Sequence, residues 1–134
     1  MVSYCYEKTL EYCKNRVQFG KAIGNYQLIQ KNLVEMCGLV CAMQSLCLRM
    51  SLKEAKGERV SHGQSSLLKA FCSQKTREVV ALGRDCLGGN GILLEYEVGR
   101  EVAHVNRLQC ELDRRLSNSN ESRSGTPFFL QRKA

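Results

Sequence analysis

Between Asn25 and Lys56 the chain carries Leu28, Leu33, Met36, Val40, Met43, Leu46 and Met50 at spacings of three to five, the stripe of a helix face. Asn25 is a suitable N-cap, and Gly57 suits the position just past the last turn. Such a helix would extend about 45 Å, at roughly 1.5 Å per residue. A helix of that length cannot bury its apolar face alone, which implies an up-and-down bundle or an oligomer interface.

Three further segments supply the partners. Residues 3–15 repeat contact positions at Tyr4, Glu7, Lys8 and Glu11. Ser61-His62-Gly63-Gln64 matches an S-x-x-Q capping box, and a stripe through Leu67, Leu68, Phe71, Val79, Leu82 and Cys86 follows it. Residues 94–108 present Tyr96, Val98, Val102 and Val105. With 134 residues, no Trp and a single Pro (Pro127), the chain reads as one all-α domain, an up-and-down bundle of about four helices over residues 1–106. Residues 107–134 change character: the run Ser117-Asn118-Ser119-Asn120-Glu121-Ser122-Arg123-Ser124-Gly125 is polar, and a disordered, divergent tail is expected there. The first helical pattern opens almost at Met1, as it would in a piece of a longer protein.

Charge narrows the classes of partner. The net charge is +7, of which residues 1–106 contribute +4 and the short tail +3. Both signs are mixed along the helical segments, with no interleaving of aromatic and basic residues, so no nucleic-acid partner is expected. No signal peptide or other targeting signal is visible, and no apolar run near twenty residues, so no membrane span is expected either. The eight cysteines include no C-x-x-C pair, and His62 and His104 lie far apart, so no metal site is expected. Most cysteines fall at helical spacing beside Leu, Val and Met, where a reduced thiol acts as a small hydrophobe in an intracellular protein.

The glycines of Leu87-Gly88-Gly89-Asn90-Gly91 stand apart from this pattern. Each would cost about 1 kcal/mol against Ala inside a helix, so they mark a sharp exit, a close backbone approach, or both. The run is not a dinucleotide-binding fingerprint: the third glycine is missing and a helix, not a strand, precedes it. A plain turn between helices is the alternative. A second constellation, Arg16-Val17-Gln18-Phe19-Gly20-Lys21, places a guanidinium beside an aromatic ring and a bare backbone. An Arg at a helix end can satisfy terminal carbonyls or offer its fork of donors to a phosphate.

Taken together, Arg16-x-x-Phe19-Gly20, Gln27 with Leu28 and Gln30, Leu67-Leu68-Lys69, Lys75-x-Arg77-Glu78, Arg84 through Ile92 and Glu95-Tyr96-x-Val98-x-Arg100 resemble the C-terminal domain of the acyl-CoA dehydrogenase and acyl-CoA oxidase family. The details look most like the branch of glutaryl-CoA dehydrogenases and short-chain peroxisomal acyl-CoA oxidases. The resemblance covers residues 1–106. It implies a helical bundle, FAD as cofactor, an acyl-CoA substrate, oxidation of its α–β bond, homo-oligomeric assembly, and a mitochondrial or peroxisomal location. It also implies site roles: Arg16 near the FAD pyrophosphate, Phe19 packed on the cofactor, Gln27 hydrogen-bonded to it, and Asp85, Cys86, Leu87, Gly88 and Gly89 toward its adenosine side.

The family's catalytic Glu, in a Tyr-Glu-Gly-Thr motif, has no counterpart here. At that distance the chain reads Leu108-Gln109-Cys110-Glu111-Leu112, which leaves Glu111 a weak candidate whose ordinary reading is a surface carboxylate. The loss of match after Asn106 suggests that residues 107–134 come from a shifted frame, a retained intron or a truncated gene copy. The expected function is a segment of a flavin-dependent acyl-CoA dehydrogenase or oxidase that supplies FAD contacts and subunit association and is inactive alone. The alternative is a non-catalytic helical module that associates with full-length family members.

Overall fold

The computed structural model describes residues 1–101, 104, 105 and 107. Three long helices dominate: α1 (Val2–Asn15), α2 (Gln27–Ala55) and α3 (His62–Leu87). A two-residue β-hairpin, β1 (Val17–Gln18) with β2 (Lys21–Ala22), and a 3₁₀ turn at Ile23–Asn25 join α1 to α2. Two further 3₁₀ turns, Gly88–Ile92 and Leu94–Tyr96, follow α3, and a fourth helical segment opens at residue 98. The architecture is the expected all-α up-and-down bundle.

Helix α3 starts on the full capping box: the Ser61 hydroxyl accepts from the Gln64 N–H at 3.2 Å, and the Gln64 side chain accepts from the Ser61 N–H at 3.2 Å. At the other end of the α2–α3 connection, Gly57 adopts φ +75° just past the end of α2. Two expected boundaries move. Helix α2 is capped at Tyr26, not Asn25, because Asn25 is used up in the 3₁₀ turn that the Tyr26 N–H closes on the Ile23 carbonyl at 3.1 Å. The fourth segment starts at 98 rather than Leu94. Residues Leu94–Tyr96 wind as a 3₁₀ turn, and Glu97, left-handed at φ +56° and hydrogen-bonded by the Tyr4 hydroxyl, re-aims the chain first.

The core is built where α1, α2 and α3 cross. Helices α2 and α3 run antiparallel, and their contacts fall in register: Met36 against Gly83, Val40 with Val79 in one cluster, and Thr76 donating from Oγ1 to Met43 Sδ at 3.7 Å. A Cβ added at Gly83 would lie 2.9 Å from Thr9 Oγ1, 3.3 Å from Cys5 Sγ and 3.3 Å from Met36 Cε. Thr9 cannot yield, since it is fully buried and already donates to the Cys5 carbonyl at 2.8 Å. At Gly83, therefore, all three helices come into close contact.

The apolar stripe of α2 is buried more narrowly than its sequence implies. Leu33, Met36, Val40 and Met43 enter the core, whereas Leu46 and Met50 are half-buried and Leu28 is 78% exposed. Val34, Leu48 and Leu52 are exposed as well. Contrary to the sequence expectation, α2 does hold an 18-residue window of mean hydropathy 1.4, long and apolar enough by composition to cross a membrane. In this fold that apolarity is spent in part on the α1 and α3 contacts. The tail expected over residues 107–134 falls, apart from Arg107, outside the described residues.

Candidate functional site

The α1–α2 connection folds as a tight hairpin with Val17 opposite Ala22 and Gln18 opposite Lys21, extended by the Ile23 N–H donating to the Arg16 carbonyl at 2.8 Å. Its two central residues, Phe19 at φ +51° and Gly20 at φ +81°, both have the positive φ that a type I′ turn demands. Gly20 adopts it freely, but a left-handed Phe is disfavoured by about 1–2 kcal/mol. The ring gains no burial in return, being 92% exposed. Tyr26 braces the turn: its hydroxyl donates to the Gln18 carbonyl at 3.1 Å, and Lys21 Nζ sits 4.2 Å from its ring centroid.

Facing the hairpin is the exit from α3. Gly88 takes φ +57°, and its N–H closes on the Arg84 and Asp85 carbonyls. A Cβ at Gly88 or Gly89 would meet nothing within 4 Å, so the backbone here is bare and open. Gly91 differs, because a Cβ there would come within 2.7 Å of the Arg84 carbonyl oxygen. The glycine run thus serves both expected purposes, an exit at Gly88 and a close approach at Gly91, but that close approach is to the chain's own helix.

Hairpin and exit together wall a groove of about 480 Å³. It gathers Arg16, Phe19, Asp85, Cys86, Leu87, Gly88 and Gly89, seven of the eight positions singled out from sequence. Gln27 is the exception: it is exposed at the first turn of α2 and does not line the groove, which takes Tyr26 and Ile29 from that helix instead. The helical rotation of about 100° per residue carries position 27 off the face shared by its neighbours. Glu111 lies outside the described residues.

Sequence reasoning missed Tyr12, Gln18, Ile23, Tyr26, Ile29 and Asn90 as lining residues. Tyr12 had a signal, lying one helical turn before Arg16 on α1. Asn90 Nδ2 donates to the Tyr12 hydroxyl at 2.8 Å, and the Tyr12 and Tyr96 rings meet edge to face at 5.5 Å. These contacts tie α1 to the glycine turn and to the 3₁₀ turn Leu94–Tyr96.

Among the described residues the ion pairs are Lys8–Glu11 and Lys75–Glu78, so the Arg16 guanidinium is uncommitted although Asp85 lines the same groove. Behind the groove Cys13 and Cys86 share a buried cluster with Leu33. Cys13 is the donating partner: its contact with the Cys86 sulfur, and then burial, push its thiol well above the ordinary range. Cys5, at the three-helix crossing, is raised from 9.0 to about 11 by burial first and by the Glu101 carboxylate second. No group of three or more metal-binding side chains occurs among the described residues.

Comparison with known proteins decides the family. Residues 1–110 match the family model described as acyl-CoA dehydrogenase, C-terminal domain. The chain belongs to this family. Its fold is similar to the crystal structure of glutaryl-CoA dehydrogenase from Mycobacterium smegmatis, with 30% identity and a TM-score of 0.75 over 79% of this chain and 27% of that one. It is also similar to an acyl-CoA dehydrogenase from Geobacillus kaustophilus, with 25% identity and a TM-score of 0.71 over 75% of this chain and 26% of that one. A third similar structure is PigA with FAD and proline, at 25% identity and a TM-score of 0.69 over 75% of this chain and 26% of that one. The chain spans about a quarter of the length of each of these relatives. As a member of the acyl-CoA dehydrogenase family it therefore corresponds to the helical C-terminal part.

Proposed function

We propose that this chain supplies one wall of a flavin adenine dinucleotide site in an assembly of acyl-CoA dehydrogenase or oxidase type, in the branch of the glutaryl-CoA dehydrogenases and short-chain acyl-CoA oxidases. The observation that carries this reading is the groove at the hairpin, where an uncommitted Arg16, an exposed left-handed Phe19 and bare glycine backbone converge. The residues fit the group. The Arg16 guanidinium fork would match a pyrophosphate, the exposed Phe19 ring would give a stacking face, and the Asp85 carboxylate would accept from ribose hydroxyls. Strain kept at an exposed aromatic is what a binding site retains and a mere connection does not.

When bound, the flavin is the acceptor for the two hydrogens removed from an acyl-CoA substrate. The described residues contribute binding and orientation. Asp85 is the carboxylate among the described residues that line the groove, and this reading assigns it to holding the cofactor rather than to proton abstraction. Exposed Leu28, Val34, Leu48 and Leu52 on α2 favour assembly with further copies or with full-length family subunits. A mitochondrial or peroxisomal location accompanies this reading.

Flavin titration tests it. The purified chain is expected to be colourless and to lack turnover with acyl-CoA, yet to quench FAD fluorescence saturably at high micromolar concentration. Binding that is undetectable, or equal for FAD and riboflavin (which lacks the pyrophosphate), would overturn the assignment of Arg16.

A further inference from the structure

Cys47 and Cys72 stand opposite each other across the α2–α3 pair, at a distance from the groove. The antiparallel register places them there: Met36 meets Gly83, Val40 shares a cluster with Val79, Met43 accepts from Thr76, and the next turn outward pairs position 47 with position 72. The two thiols are neighbours, and both are free. Cys47 is exposed on α2, whereas Cys72 is half-buried beside the Met36–Val79 cluster. Burial, followed by the neighbouring Cys47, raises the Cys72 thiol above its ordinary value.

We propose that Cys47 and Cys72 form a reversible dithiol site that closes to a disulfide on exchange with a low-molecular-weight disulfide, stapling α2 to α3. The unequal exposure sets the order of events. Cys47, as thiolate, attacks one sulfur of the small disulfide, forming a mixed disulfide and releasing one small thiolate that takes up a proton. Cys72 then loses its proton and attacks the Cys47 sulfur, forming the internal S–S bond and expelling the second small thiol. The protein gives up two protons and two electrons, and the small disulfide is reduced to two thiols. Cys13 and Cys86 also touch, but both are buried and cannot meet the reagent, so this exchange passes them by. Cys37 and Cys41 share α2 with Cys47, but neither occupies a register position opposite a cysteine of α3.

The staple would close a loop around the connection between Ala55 and His62. Constraining that loop restricts the unfolded chain, so the oxidised protein should melt about 5–10 °C higher than the reduced one. The test is incubation of the whole chain with oxidised glutathione, followed by alkylation, tryptic digestion and mass spectrometry. The expected result is a cross-link between the peptide 32–49 and the peptide 70–75, reversed by dithiothreitol. Because the first peptide holds three cysteines, Cys47→Ser must abolish the link and Cys37→Ser must leave it in place. The melting temperature of reduced Cys47→Ser should match the parent, since the position is exposed, and this separates loss of the link from loss of the fold. Glutathione adducts without the cross-link, or a cross-link that survives in Cys47→Ser, would overturn the proposal.

Discussion

Gly83 and Gly88 lie five residues apart at the end of α3 and have opposite surroundings. A side chain at Gly83 would strike Thr9, Cys5 and Met36, while one at Gly88 would reach nothing. The crossing at Gly83 is organised for stability: its hydroxyl is satisfied, its thiol is neutral and its side chains are buried. The groove end gives stability away, exposing an aromatic ring on a disfavoured backbone and leaving a guanidinium with no ion pair among the described residues. Small residues placed close together in a sequence can thus answer to packing on one side and to a ligand on the other.

Four changes would break or sharpen that contrast. The largest expected effect is Gly83→Ala, which should destabilise the chain by about 2–3 kcal/mol through overpacking at a site where Thr9 cannot move. Urea unfolding checks it, and a loss below about 0.5 kcal/mol would mean the crossing is looser than its geometry. Arg16→Ala should leave urea stability nearly unchanged but weaken FAD binding about tenfold, or ~1.4 kcal/mol, in a fluorescence titration. Equal weakening of riboflavin would show that the guanidinium does not address phosphate.

Phe19→Asn should act in both directions at once. Asn tolerates the left-handed turn, so stability should rise by about 1 kcal/mol while flavin affinity falls. A variant that is more stable with undiminished affinity would remove the ring from the site. The last effect concerns pH and shows only in alkaline solution. Cys5 is protonated in the folded chain up to about 11, against 9.0 ordinarily. The unfolded chain therefore loses that proton first, and stability should decline as pH rises from 9 toward 11. The decline should be shallower in Cys5→Ala, measured by denaturant titration at several pH values.

Much of this was legible in the sequence where local chemistry decides structure. The Ser61–Gln64 box and Gly57 mark helix ends through their own side chain or φ, and the α3 stripe runs straight into its glycine exit. The groove was legible through the Arg16-x-x-Phe19-Gly20 and Gly88-Gly89 pieces. What stayed hidden depends on contacts distant in sequence or on unusual backbone. Phe-Gly is not a dipeptide that announces a type I′ turn, so the left-handed Phe19 could not be foreseen. Leu28 fits the apolar period of α2, yet the bundle supplies no neighbour at that level. Gln27 drops out of the groove because one residue of helical rotation turns it away from the side shared by Tyr26 and Ile29. The pairing of Cys47 with Cys72 needs the antiparallel register, which no local pattern contains.

The hairpin has a consequence for the order in which the site comes into being. It closes within eight residues, from Arg16 to Ile23, whereas the opposite wall at Asp85–Gly89 lies more than sixty residues further along the chain. Local loops close early and distant ones late, because closure entropy must be met before distant contacts form. The groove therefore exists only once α3 has docked, and a ligand held there has little to grip while the chain is still folding. Flavin should accordingly slow the unfolding of this domain and leave its folding rate almost untouched.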